Sequence, residues 1–209
     1  MDHVGKTCTK PRKCCVCGNA HPTTLHGGKG ASSYHTGLAN QSAISMCVVP
    51  VVLWHESDPN HKLTVYALLY DCCTGRFVSD KALESLEVPV SETAVEVRTL
   101  TGKTVEPATS VNGLFVQCVP SHAQFYPTSI IKLPTTFSRP SLAIEREEIP
   151  TPSKINKWPH LQGLRDKIPE YDPTIPFGLM IGGNCPQACA PLEAIEGEEG
   201  PFAKRSRLG

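Results

Sequence analysis

Between residue 43 and about residue 120 the chain is written in short β-branched or alternating runs, and this rhythm constrains the fold more than any other feature. The runs are "SMCVVPVVLW", "LTVYALL", "TAVEVRTL" and "NGLFVQCV", separated by Asp-Pro-Asn, Thr-Gly and Asn-Gly turn signals. Each is too short for a long helix and rich in residues that pack well on a pleated surface. The 19 prolines in 209 residues also favour extended segments and turns over long helices. One short helix is expected over 80–86, "DKALESL", with Ser79 or Asp80 as its N-cap. Residues 127–152 carry five prolines and read as an extended segment lying along the surface. Helical spacing returns in 153–168 at Ile155, Trp158, Leu161, Leu164 and Ile168, with Pro159 breaking or restarting it. "FGLMIGGN" reads as a buried strand ending in a glycine turn, and "CPQACAP" as a short helix with Pro186 in its first turn. The body is therefore expected to be mainly β, with two or three short helices.

A different composition precedes this body. Residues 1–30 are basic and rich in Cys, His and Gly, and 31–42, "ASSYHTGLANQS", read as a linker to a domain spanning 43–209. Within the basic segment lies Cys14-x2-Cys17-x3-His21-x4-His26. Two thiolates two residues apart bite one metal from a tight turn, and two imidazoles complete a tetrahedron, which is the donor set of structural zinc. So short a loop has no core of its own, and the metal supplies its folding energy. The spacing resembles the zinc knuckles of retroelement Gag proteins, usually Cys-x2-Cys-x4-His-x4-Cys. It departs from them by one residue fewer before the first His and by His26 in place of the last Cys. Such knuckles bind single-stranded nucleic acid. Here no aromatic residue lies in the loop, so Lys10, Arg12, Lys13 and Lys29 are the expected contacts. Weak, salt-sensitive binding of RNA or single-stranded DNA follows.

The formal net charge is zero, so no global field points to nucleic acid or a membrane. The longest apolar run, "AISMCVVPVVLW" at 43–54, is too short to span a bilayer and is broken by Pro50. No apolar stretch follows the charged start, so the ten cysteines are expected as reduced or metal-bound thiols in an intracellular, cytoplasmic protein.

Downstream, "VYALLYDCCTGRFVSDKALESL", "LTGKTVEPATSVNGLFV", "IPTPSKINKWPHLQGLRDKIP" and "GLMIGGNCPQACAP" follow one another in the order seen in BEL/Pao-type retrotransposon Gag-Pol polyproteins. The resemblance covers roughly residues 14–209. It implies a retropepsin-like closed β-barrel in which an apolar strand delivers a catalytic Asp in a turn. A hairpin flap covers the substrate, and a later strand ending in Ile-Gly packs beside the catalytic turn. Carried onto this sequence, the flap lies near Thr99 to Val105, with Thr101, Gly102 and Lys103 at its tip. The Ile-Gly element is Ile181 and Gly182, with Asn184 in the turn before the last helix.

At the catalytic position the sequence departs from that pattern. Aligned without a gap, Tyr70 occupies the place of the Asp, and Asp71 follows it. Hydrolysis by this class needs two carboxylates sharing one proton, and a phenol with a pKa near ~10 is not that base. Successive strand residues point to opposite faces, so Asp71 aims away unless the turn bulges by one residue. Two hypotheses remain. One is a protease shell with impaired catalysis and zinc-dependent nucleic-acid binding. The other is an active homodimeric aspartic endopeptidase that processes a Gag-Pol polyprotein through Asp71, each copy supplying one carboxylate.

Smaller candidates have simpler readings. Adjacent Cys72 and Cys73 read as turn residues, and Cys185 and Cys189 as helix packing. His55 and His61 read as solvated, and Trp158 as a core anchor.

Overall fold

The computed structural model describes residues 46–99, 102–119, 129–142 and 144–209. The chain divides into two units, Met1–Thr36 and Gly37–Gly209, and all described residues belong to the second. The zinc-knuckle residues Cys14, Cys17, His21 and His26, the basic residues Lys10, Arg12, Lys13 and Lys29, and Thr101 of the expected flap tip lie outside the described residues.

The body is mainly β. Strands β1 (Val48–His55), β2 (Asp58–Tyr70), β3 (Arg76–Ser79), β4 (Ser91–Thr99), β5 (Gly102–Val111), β6 (Leu114–Cys118), β7 (Ile131–Lys132), β8 (Thr136–Arg139) and β9 (Phe177–Gly182) form one sheet. Its order is β4-β5-β8-β3-β9-β2-β1-β6-β7. Helix α1 (Asp80–Leu86) follows β3, α2 (Pro152–Ile155) leads into a 3₁₀ helix at Pro159–Lys167, and α3 (Pro186–Cys189) follows β9. A separate two-stranded hairpin, β10 (Glu193–Ile195) and β11 (Ala203–Arg205), lies near the chain end. Among the described residues no helix is long and apolar enough to cross a membrane.

The closed barrel implied by the resemblance is not what forms. Among the described residues β4 and β7 each have a single strand neighbour, so the sheet they form is open at both ends. Closure needs long, staggered edge strands that meet. Here one edge is the two-residue β7, and the other belongs to a ribbon whose β5 joins β8 only at Ser110 and Val111.

The centre of the sheet is buried on both faces. Val51, Leu53, Val65, Ala67, Leu69, Leu179 and Ile181 pack with α1, α3 and Leu208 on one side. On the other, Val48, Tyr66 and Leu68 pack with Ile144, Ile149, Tyr171 and Phe177. This explains why "VYALL" is apolar without alternation, as in sheets covered on both sides. The Tyr66 hydroxyl accepts from the Asp172 N–H at 2.9 Å, so its polar end is satisfied.

Local chemistry sets the element ends. The Ser79 side chain accepts from Ala82 N at 3.2 Å, capping α1 as the Ser-Asp start of the run requires. Pro159 restarts the expected 153–168 helix as a 3₁₀ turn rather than breaking it outright. The first hairpin turns at Glu56–Ser57, and Asp58-Pro59-Asn60 begins β2 instead of forming the loop. His55, read as solvated, is buried: Nε2 lies 2.8 Å from the Asn112 carbonyl oxygen and Nδ1 2.7 Å from Ser57 Oγ. Trp158 is half-buried, packed on Gly200 in the C-terminal segment, and is not part of the main core.

Candidate active site

β2 and β3 are neighbours in sequence, yet β9 is inserted between them. It runs parallel to β2, with Leu69 opposite Ile181 and Tyr70 opposite Gly182, and antiparallel to β3, with Arg76 opposite Ile181. The chain leaves β2 at Tyr70, passes over the end of β9 through residues 71–75, and returns along β3.

That crossing requires glycine beneath it. A Cβ on Gly182 would stand 2.3 Å from the carbonyl oxygens of both Cys73 and Gly75, and one on Gly183 would stand 2.7 Å from that of Asp71. Real side chains do not approach backbone so closely, so these two glycines let the turn rest directly on the strand end. Gly183 N–H then donates to Cys73 O at 2.8 Å, and Cys73 N–H to Tyr70 O at 3.1 Å. The Cys73 thiol accepts from Gly75 N–H at 3.2 Å, which makes it a turn residue. The Ile181–Gly182 strand end therefore lies against the turn after Tyr70.

Side-chain direction follows the strand period. Leu69 is buried and Tyr70, 37% exposed, ends the strand on the open side. Asp71 is in the turn and exposed. Its carboxylate faces an ammonium: Lys204 Nζ donates to Oδ2 at 2.7 Å and to Oδ1 at 3.0 Å. The lysine side chain is only 10% exposed while that of Asp71 is 55% exposed. Burial pushes the Lys204 ammonium down, but the hydrogen bond to Asp71 and the neighbouring negative charges outweigh it and the net shift is upward. The ammonium therefore stays charged through neutral pH.

The thiols of Cys47 and Cys189 lie close enough to feel this pair, and Cys185 lies close to Cys189. Burial raises Cys47 and Cys185, and it pushes Cys189 up to about 11 with a further contribution from the Asp71 carboxylate. The Cys189 thiol donates to the carbonyl oxygens of Ile181, at 3.4 Å, and Gly182, at 3.5 Å. These are packing thiols, kept neutral at physiological pH. Among the described residues no group of three or more His, Cys, Asp or Glu side chains is placed to hold a metal ion.

Of the residues read as the flap, Thr99 ends β4 and Gly102 to Val105 begin β5, with Thr99 opposite Gly102. Gly102 has φ +152°, and among the described residues nothing lies within 4 Å of where a Cβ on it would stand; Lys103 pairs with Glu96 across the ribbon. Sequence reasoning missed Lys204. Nothing local marks it as a partner of Asp71, because the pairing depends on how β10 and β11 fold back over the turn. It also missed Arg76, buried behind the turn, whose Nε and Nη2 donate to Thr135 O at 3.1 and 2.7 Å.

No protein-family model matches the chain, and no curated protein matches it.

Proposed function

We propose that residues 43–209 are a retropepsin-like protease shell with impaired catalysis, joined to an N-terminal zinc knuckle that binds nucleic acid. The observation that carries this reading is the Tyr70–Gly75 turn, seated on Gly182–Gly183 at the end of a strand inserted between β2 and β3. Such a seat fixes the backbone at the end of the inner strand β2, the kind of support an aspartic peptidase needs for its carboxylate. The side chain at that strand end is a phenol. The neighbouring carboxylate is bound on both oxygens by an ammonium and would have to exchange Lys204 for a second carboxylate before it could share a proton.

At the N-terminus the support is chemical. Cys14, Cys17, His21 and His26 are the two-thiolate, two-imidazole donor set of a structural zinc, and Lys10, Arg12, Lys13 and Lys29 offer phosphate contacts. Zinc would supply folding energy to the loop rather than chemistry.

A cleavage assay at about pH 5, where a carboxylate pair holds one proton, tests the reading on a peptide library. The protein as it stands is expected to be silent and Tyr70→Asp to cleave. Activity of the unaltered protein that Asp71→Asn abolishes would overturn the impaired-shell reading. Silence from Tyr70→Asp as well would remove its support.

A further inference from the structure

Strand β4 is nine residues long, regular, and at the end of the sheet. Its register with β5 runs without interruption from Ser91 opposite Ser110 to Thr99 opposite Gly102. It contains no proline and no bulge, and among the described residues no strand lies on its outer edge. Such an edge is a template for a further strand unless something blunts it.

The sequence of β5 reveals which groups that edge presents. Ala94 is opposite Pro107, and proline has no N–H to give. That pair is therefore not one that exchanges both backbone hydrogen bonds, and the bonded pairs are those of Ser91, Thr93, Val95, Val97 and Thr99. Glu92, Ala94, Glu96 and Arg98 accordingly turn their N–H and C=O groups outward.

We propose that β4 pairs antiparallel with β4 of a second copy of this chain, about a two-fold axis at Val95. Overlap and charge together choose this register: the axis at Val95 pairs the strand along its whole length, Ser91 opposite Thr99, whereas an axis at Val97, which would also set Glu96 against Arg98, pairs only Val95 to Thr99. With the axis at Val95, Glu92 of each copy is opposite Arg98 of the other, and Ala94 is opposite Glu96. Moving the axis to Ala94 sets Glu92 against Glu96, and moving it to Glu96 sets that carboxylate against itself. Like charges directly opposite are destabilising and opposite charges favourable. Arg98, whose side chain is 75% exposed, already donates from Nε to Glu96 Oε1 at 2.6 Å, so it would bridge two carboxylates. On the other face Thr93 meets Val97 on both sides of a central Val95 pair. Val95 is buried and Val97 half-buried in one protomer, so the second copy extends an apolar row already begun. The result is a sheet continuous across both copies, with β5, β8 and β3 between the contact and the Tyr70 turn. A single edge contact buries less than the ~1,200 Å² of a stable interface, so association is weak and salt-sensitive.

Sedimentation of the full-length protein over roughly 10–500 µM at low salt, bracketing a weak dissociation constant, tests the pairing. The expected result is concentration-dependent dimerisation, weakened about tenfold or more by Glu92→Arg or Arg98→Glu alone. Combining both reversals in one chain restores it, because the two charges have then exchanged places and opposite signs face each other again. Ala94→Pro removes an outward N–H without touching a bond to β5 and gives a monomer of unchanged melting temperature. A protein monomeric throughout, a dimer indifferent to the single reversals, or a double reversal that restores nothing would each overturn the proposal.

Discussion

Lys204 donates to both carboxylate oxygens of Asp71, although 133 positions separate them. The turn after β2 is thereby tied to the hairpin near the chain end. A pair of this kind stabilises unequally from its two sides, because one member is nearly buried and the other half in water.

Asp71→Asn is therefore expected to cost more than Lys204→Met. The first leaves a lysine side chain only 10% exposed without its counter-ion, at about 1–3 kcal/mol. The second keeps the apolar stem packed and leaves Asp71, 55% exposed, to solvent, within about 1 kcal/mol. Urea unfolding of the two variants and the double mutant decides. Equal losses would mean that the pair is screened like any surface bridge.

Gly182→Ala should be among the most damaging small substitutions in the protein. The new methyl would lie 2.3 Å from two backbone oxygens that belong to the turn, and no side-chain rotation relieves it. About 3 kcal/mol or more is expected from overpacking of this kind. Gly102→Ala is the control: among the described residues nothing lies within 4 Å of the new methyl, so only the positive φ is strained, at about 1 kcal/mol. Thermal melts of both variants measure the difference, and similar losses would contradict the close approach at Gly182.

The buried thiols set an alkaline limit. Cys47, Cys118, Cys185 and Cys189 all have their pKa raised by burial, Cys189 to about 11 from 9.0. Between those values the unfolded chain loses thiol protons that the folded chain keeps. The stabilisation is complete below about pH 9 and is lost as pH rises towards 11. Urea midpoints recorded from pH 8 to 11 should fall, and Cys189→Val should flatten the decline. A midpoint independent of pH over that range would place the thiol in contact with water.

Much of this could be read in the residues because it is local. The Ser79 cap and the apolar runs of β1, β2 and β9 follow from propensity and period. What could not be read is pairing. Strand period says which face a residue takes but not which strand lies beside it, so the open sheet order, the Lys204 contact and the burial of His55 against Asn112 were out of reach. β5 was obscured by Pro107, which a strand tolerates here because the pair with Ala94 needs no N–H.

The insertion of β9 also fixes an order of events during synthesis. β2 and β3 emerge together, but the strand that joins them in the sheet emerges only after α1, β4 to β8 and α2 have left the ribosome. Until then the edges of β2 and β3 that will flank β9 have no strand partner, and the closure joins residues 66–78 to residues 177–182. Such non-local closure is slow, in the millisecond-to-second range of β topologies, and exposes unpaired edges while it lasts. The same strand that gives the Tyr70 turn its seat thus makes a newly made chain dependent on protection from its neighbours.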